Sequence, residues 1–207
     1  DDDDATIYTI EVPPDCQLHH NSDQDRFKCD QTDLLSAEIK RAFVKDGVIA
    51  LRGILSPSQL AKLDKSSDEL IQGEHRRKMQ MGTGKGRLHA GKQFYLSSHH
   101  VAFEKEGFRH VALESLLPKI ASELLEAEHE RNAAQDQVNN DISLPSSNLR
   151  MIRDVFLAKD QDPYICGWHI DDTGFWPATA DSSGINAWIA IDDMPLSTGG
   201  GFALSAQ

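Results

Sequence analysis

Hydrophobic side chains recur every four residues after Thr32 and mark one face of a helix. The positions that carry this pattern are Leu35, Ile39 and Phe43. The Asp46-Gly47 pair is a turn signal, so we expect the helix to end there. The apolar run VIALRG, which follows directly, predicts a short strand.

A second helix is predicted from the signals at its start. Ser56 and Gln59 have the three-residue spacing of a capping box. Pro57 stands at the first helical position, where its missing N–H group is not needed. We expect the helix to extend to about Ile71 with three side chains facing inward, namely Leu60, Leu63 and Leu70.

The third helical pattern covers residues 118–133, where one face is apolar and the outer face is charged and expected to be solvated. The apolar positions have the spacing i, i+3, i+4 and i+7 and are Leu117, Ile120, Ala121 and Leu124. Residues 134–148 are polar and rich in Asn, Asp, Ser and Pro, which predicts a loop.

The period changes after this loop. Short β-branched or aromatic runs bounded by Asp, Pro, Gly and Ser predict an antiparallel sheet or sandwich. The runs are LRMIRDVFLAK, YICGWHI, INAWIAI and GFALSA. The expected fold class is therefore mainly β with N-terminal helices, of the α+β type. We expect an acidic extension at residues 1–31 and a single domain at 32–207, with a helical part at 32–133 and strands at 149–207.

Length and charge narrow the functional classes. A chain of 207 residues with 39% hydrophobic side chains can form one domain with a sizeable core. Acidic groups outnumber basic ones by 33 to 21, so no global basic surface is available for phosphates and nucleic acid is not an expected partner. Apolar runs such as AWIAI are far shorter than the roughly 20 residues that span a bilayer, so no membrane span is expected. The oligomeric state does not follow from the sequence.

The cysteines indicate the compartment. Cys16, Cys29 and Cys166 are widely spaced and include no CxxC pair, which fits neither a disulfide framework nor a zinc knuckle. We therefore expect an intracellular location, cytoplasmic or organellar. The chain begins with DDDD, without an initiator Met or a signal-peptide pattern, and its targeting stays open.

A phosphate-binding loop is one candidate site. GRLHAGKQ at residues 86–93 matches the pattern GxxxxGK, but Gln93 replaces the Ser or Thr that ligates magnesium, and no hydrophobic strand precedes it. Residues 76–92 are basic and glycine-rich. A solvated loop is the simpler interpretation, and a lid for an anionic substrate is the alternative. His99 and His100 have no acid at ligand spacing, so we expect them at the surface.

His169 and Asp171 are the second candidate. Side chains two positions apart on a strand point to one face, so an imidazole and a carboxylate can converge on a single cation. They would supply two thirds of the two-His-one-carboxylate triad, which leaves positions on Fe(II) open for a co-substrate and dioxygen. A His-x-Asp triplet alone is a weak signal. Here Trp168 and Trp176 flank it and could wall off a dry cavity.

Three stretches in this order resemble the phytanoyl-CoA dioxygenase family of Fe(II)/2-oxoglutarate oxygenases. They are DGVIALRGILSPSQLAKL, then WHID, then AWIAIDD with a Gly-rich turn after it, and together they cover roughly residues 41–71 and 149–207. The resemblance implies that His169 and Asp171 are metal ligands and that Trp188 lines the co-substrate pocket. It implies no catalytic residue beyond the metal ligands.

The resemblance also implies a fold and a reaction. The fold is a double-stranded β-helix, a cupin-like jelly roll, with helices packed outside it. The reaction is hydroxylation of a C–H bond in a small organic or lipid-like substrate, with dioxygen and 2-oxoglutarate consumed and succinate and carbon dioxide released. Ile170 replaces the Gln that is common between the two ligands, which leaves the substrate open.

Two further features of the family pattern are a distal His and a later Arg that binds 2-oxoglutarate. No His follows His169, and residues 160–207 contain no Lys or Arg. We therefore expect a C-terminally truncated fragment, with an incomplete jelly roll that is inactive alone. The alternative is a non-catalytic jelly-roll binding protein that retains the fold.

Overall fold

A computed structural model of the chain describes residues 7–10, 17–19, 26–28, 33–72, 86–88, 94–135, 149–160 and 184–194. The helices in this part are α1 (Ala37–Asp46), α2 (Pro57–Gln72), α3 (Val101–Glu104), α4 (Glu106–Glu114) and α5 (Leu117–Gln135). The strands are β1 (Ile7–Thr9), β2 (Gln17–His19), β3 (Arg26–Lys28), β4 (Ala50–Arg52), β5 (Gly86–Leu88), β6 (Phe94–His99) and β7 (Val155–Asp160).

The three predicted helices are confirmed as α1, α2 and α5. At the start of α1, the Ser36 side chain accepts a hydrogen bond from the Ile39 N–H group at 3.3 Å. At its end, Gly47 has a φ of 72°, a left-handed conformation that favours glycine, and its N–H group donates to the Phe43 carbonyl at 2.8 Å. In α2 the prediction that Leu60 faces inward is wrong, because its side chain is 39% exposed.

Contacts divide the chain into two compact units. The first comprises Asp1–Pro57, Leu113–Leu149 and Gly184–Gln207, and the second comprises Ser58–Ala112 and Arg150–Ser183. In the first unit β1 pairs with β4 in parallel, and β2 pairs with β3 antiparallel. Helices α1 and α5 pack together over a core of apolar side chains. The buried members of this cluster, called the α1–α5 core below, are Ile10, Leu35, Ile39, Leu116, Ile120 and Leu124.

The second unit contains an antiparallel sheet with the strand order β5-β6-β7. Phe156 of β7 is buried and makes an edge-to-face contact with Phe108 of α4, at 5.3 Å between ring centroids. Helix α4 also lies against α2, because the Gly107 N–H group donates to the Ser66 hydroxyl at 3.1 Å. Phe156 therefore ties one strand of this sheet to α4.

The expected mainly β fold with a jelly-roll core is wrong for the part of the chain that the structure describes. Helices dominate it, and its strands form three separate sheets of two, two and three strands, with no jelly-roll sheet among them. Within residues 149–207, the described strand is β7, and the run INAWIAI forms none. The runs YICGWHI and GFALSA lie outside the described residues.

This expectation fails because a β-rich composition is not sufficient to form a strand. β-branched and aromatic residues fit a pleated, half-buried surface, but a strand exists only where a second strand completes its hydrogen-bond ladder. Residues 155–160 have that partner in β6, whose register runs from His99 opposite Val155 to Phe94 opposite Asp160. Residues 184–194 pair with no strand in the described ranges.

Candidate functional site

The two predicted metal ligands, His169 and Asp171, lie outside the described residues, as do Trp168 and Trp176. Their assignment as a site therefore stays a prediction. Across the described ranges, no group of three or more His, Cys, Asp or Glu side chains is arranged to hold a metal ion.

Trp188 is the predicted site residue whose position the structure describes. It lies in the segment of residues 184–194, which contains no helix or strand, and its side chain is 47% exposed. Three residues earlier, Ile185 is half-buried and packs against the α1–α5 core. The segment thus has an apolar contact with the core at one point and presents an indole at the surface a short distance away. The predicted role of Trp188 in a co-substrate pocket stays a prediction.

The phosphate-loop pattern begins in regular structure. Its first three residues, Gly86–Leu88, form β5 and pair antiparallel with Phe94–Leu96 of β6. Backbone groups held in such a ladder are not arranged as a nest around a phosphate. Residues 89–93, and the side chains of the basic segment 76–92, lie outside what the structure describes.

The prediction that His100 lies at the surface is confirmed, since its side chain is exposed. It precedes α3 in a left-handed conformation with a φ of 61°, and its ring lies 6.4 Å from that of Phe103. The His99 side chain is outside the described part. The structure therefore gives no reason to assign His100 to the site, and the expectation for His99 stays a prediction.

Sequence reasoning missed Asp154, which connects the start of β7 to α3. Its carboxylate Oδ2 accepts a hydrogen bond from the Ala102 N–H group at 2.7 Å, and its carbonyl accepts one from the His100 N–H group at 3.0 Å. The other carboxylate oxygen, Oδ1, is buried and has no hydrogen-bond partner among the residues that the structure describes. No local signal could have found this role, because Asp154 lies 52 residues from Ala102 in a run read as one continuous strand.

The expectation that the charged outer face of α5 is solvated is wrong at Glu123. Its side chain is buried, and its two carboxylate oxygens accept hydrogen bonds from the N–H groups of Leu34 at 2.7 Å and Leu35 at 2.8 Å. Lys40 and Lys119 approach the same carboxylate at 3.6 Å and 3.8 Å. A buried carboxylate with charged and hydrogen-bonding partners is stable in this position, and it fixes the chain that enters α1.

The charged groups around Glu123 also affect the pKa of Lys40. Burial alone would lower the pKa of its ammonium group, but the hydrogen bond to Asp33 and the attraction of Glu123 and Asp33 together raise that pKa above its ordinary value of 10.5. The distance from Lys40 Nζ to Asp33 Oδ1 is 3.1 Å. The cluster is therefore a structural ion network in the first unit.

The comparison with protein families gives one match. The family model for phytanoyl-CoA dioxygenase matches residues 43–204, a range that includes His169, Asp171 and Trp188. Members of this family are typically oxygenases that depend on Fe(II) and 2-oxoglutarate. Because the match covers most of the chain, the protein belongs to the phytanoyl-CoA dioxygenase family. No curated protein and no solved structure matches it significantly.

None of the described helices is both long enough and apolar enough to cross a bilayer.

Proposed function

We propose that this protein is an Fe(II)- and 2-oxoglutarate-dependent dioxygenase that hydroxylates a C–H bond of a small organic or lipid-like substrate, with release of succinate and carbon dioxide. The observation that carries the proposal is the family match over residues 43–204, a range that includes the proposed ligands. Fe(II) with bound 2-oxoglutarate would supply the oxidising chemistry.

The donor atoms fit the metal. His169 would supply a neutral imidazole nitrogen and Asp171 an anionic carboxylate oxygen, the two ligand types of the facial triad that suits non-haem Fe(II). A ligating imidazole must be unprotonated, so protons compete with the metal for this nitrogen. Trp188 would contribute an aromatic wall that orients the co-substrate and excludes water.

The test uses the full-length protein and two substitutions at the proposed ligands, His169→Ala and Asp171→Ala. Each should abolish succinate release that depends on 2-oxoglutarate and substrate, and each should weaken Fe(II) binding measured anaerobically by calorimetry. Far-UV circular dichroism should stay unchanged, because the substitutions remove metal donors and leave the described helices intact.

Matched controls replace the same residue types elsewhere. His129 lies on α5 and Asp64 is exposed on α2, so His129→Ala and Asp64→Ala should keep both metal binding and turnover. Turnover that survives His169→Ala or Asp171→Ala would show that the ligand assignment is wrong. Fe(II) binding without succinate formation across a broad substrate panel would instead favour the non-catalytic binding protein.

A further inference from the structure

The segment of residues 184–194 has a defined place in the first unit although no ladder with a described strand holds it. Ile185 supplies a contact that can hold it, because its half-buried side chain packs against the α1–α5 core. The two helices contribute buried side chains to this core, Ile39 from α1 and Ile120 and Leu124 from α5. Ile185 therefore contacts a packed part of the unit.

Trp188 lies only three residues beyond this contact. Three residues of fully extended chain span about 10 Å, so a fixed Ile185 restricts the indole to a small volume next to the core. Asp192 and Asp193, further along the segment, are exposed and offer no comparable apolar contact. A half-exposed indole whose backbone is held close by is suited to contact a ligand, because little of its conformational freedom remains to be lost on binding.

We propose that Ile185 is a positioning residue for Trp188, and that it holds the indole in the orientation in which Trp188 contacts 2-oxoglutarate. The contact with 2-oxoglutarate rests on the proposed function, whereas the anchoring of Trp188 by Ile185 does not. In this proposal Ile185 acts only through Trp188 and has no contact of its own with metal or co-substrate.

The anchoring is tested first, without any ligand. Acrylamide quenching of tryptophan fluorescence is measured for the full-length protein and for Ile185→Ala, and the same measurement on Trp188→Phe identifies the contribution of Trp188. We expect Ile185→Ala to increase the quenching of the Trp188 component, because the released segment exposes the indole more often. Ile185→Val removes a single methylene, so its quenching should stay close to that of the unaltered protein. Leu63→Ala, a core truncation in the second unit, is the control for general loosening and should leave this component unchanged.

The second measurement is the affinity for 2-oxoglutarate with Fe(II), obtained by anaerobic calorimetry. Ile185→Ala should bind roughly two- to tenfold more weakly, the range expected when one or a few side chains must be ordered on binding. Ile185→Val should bind 2-oxoglutarate as the unaltered protein does. Leu63→Ala should also keep the original affinity once the measurement is corrected for the fraction of the protein that is folded.

The results distinguish the anchoring of Trp188 by Ile185 from the contact between Trp188 and 2-oxoglutarate. Unchanged quenching in Ile185→Ala would overturn the anchoring, whatever the affinity. Changed quenching together with an affinity that neither Ile185→Ala nor Trp188→Phe alters would keep the anchor and overturn the contact between Trp188 and 2-oxoglutarate. Equal weakening by Ile185→Ala and Leu63→Ala would overturn the positioning role, since general loss of stability would then explain both.

Discussion

Replacement of Glu123 by alanine is expected to destabilise the first unit strongly. The substitution removes the acceptor of two backbone N–H groups, those of Leu34 and Leu35, and the Leu35 bond is buried. It also removes the carboxylate that Lys40 and Lys119 approach. Hydrogen bonds to a charged group contribute about 1.5–3 kcal/mol each in net terms.

The expected loss is about 3–5 kcal/mol, the range found when one partner of a buried charged network is removed. Because a whole domain is stabilised by only about 5–15 kcal/mol, this loss should be easily measured and could unfold part of the population. The stability of Glu123→Gln should lie between that of the unaltered protein and that of Glu123→Ala. Its amide oxygen can still accept one hydrogen bond, while its amide nitrogen faces the other N–H donor.

The assay is urea unfolding followed by far-UV circular dichroism, with Glu126→Ala as the matched control. Glu126 lies on the same helix, and its hydrogen bond with the Ser122 hydroxyl is exposed, so its removal should change stability by less than about 0.5 kcal/mol. If Glu123→Ala were as stable as Glu126→Ala, the idea that this carboxylate fixes the entry to α1 would have to be abandoned.

Two further predictions concern close packing and alkaline stability. Gly107→Ala should cost about 1–3 kcal/mol or more in thermal or urea unfolding, because the added Cβ atom would clash with the Lys62 carbonyl oxygen. Gly47→Ala meets no atom within 4 Å and should cost only about 1 kcal/mol for its left-handed backbone, so a larger loss at Gly47 would contradict this reasoning. The folded-state pKa of Lys40 is raised, so its contribution is present below its unfolded value of 10.5 and is lost as the pH rises through the higher folded value. Lys40→Met should therefore flatten the loss of stability above that pH, and an unchanged slope would contradict the assigned network.

The sequence determined the features that depend on neighbouring residues. Ser36, which the structure shows capping α1, and Gly47 lie within one turn of the helix whose limits they set, and the spacing of Leu63 and Leu70 places both on the buried face of α2. The order of three motifs was also sufficient to identify the family, because residue types that bind a metal and a co-substrate recur at recognisable positions in the chain.

Tertiary structure decided the features that depend on distant partners. The run INAWIAI has the composition of a strand, but residues 184–194 meet the α1–α5 core through Ile185 and join no ladder in the described ranges. Glu123 has the sequence context of a solvated helix face, and it is buried because the N–H group of Leu35, 88 residues away, requires an acceptor. Periodicity reports which side chains share a face, whereas burial and strand formation depend on what that face meets, and such partners lie too far along the chain for local spacing to specify.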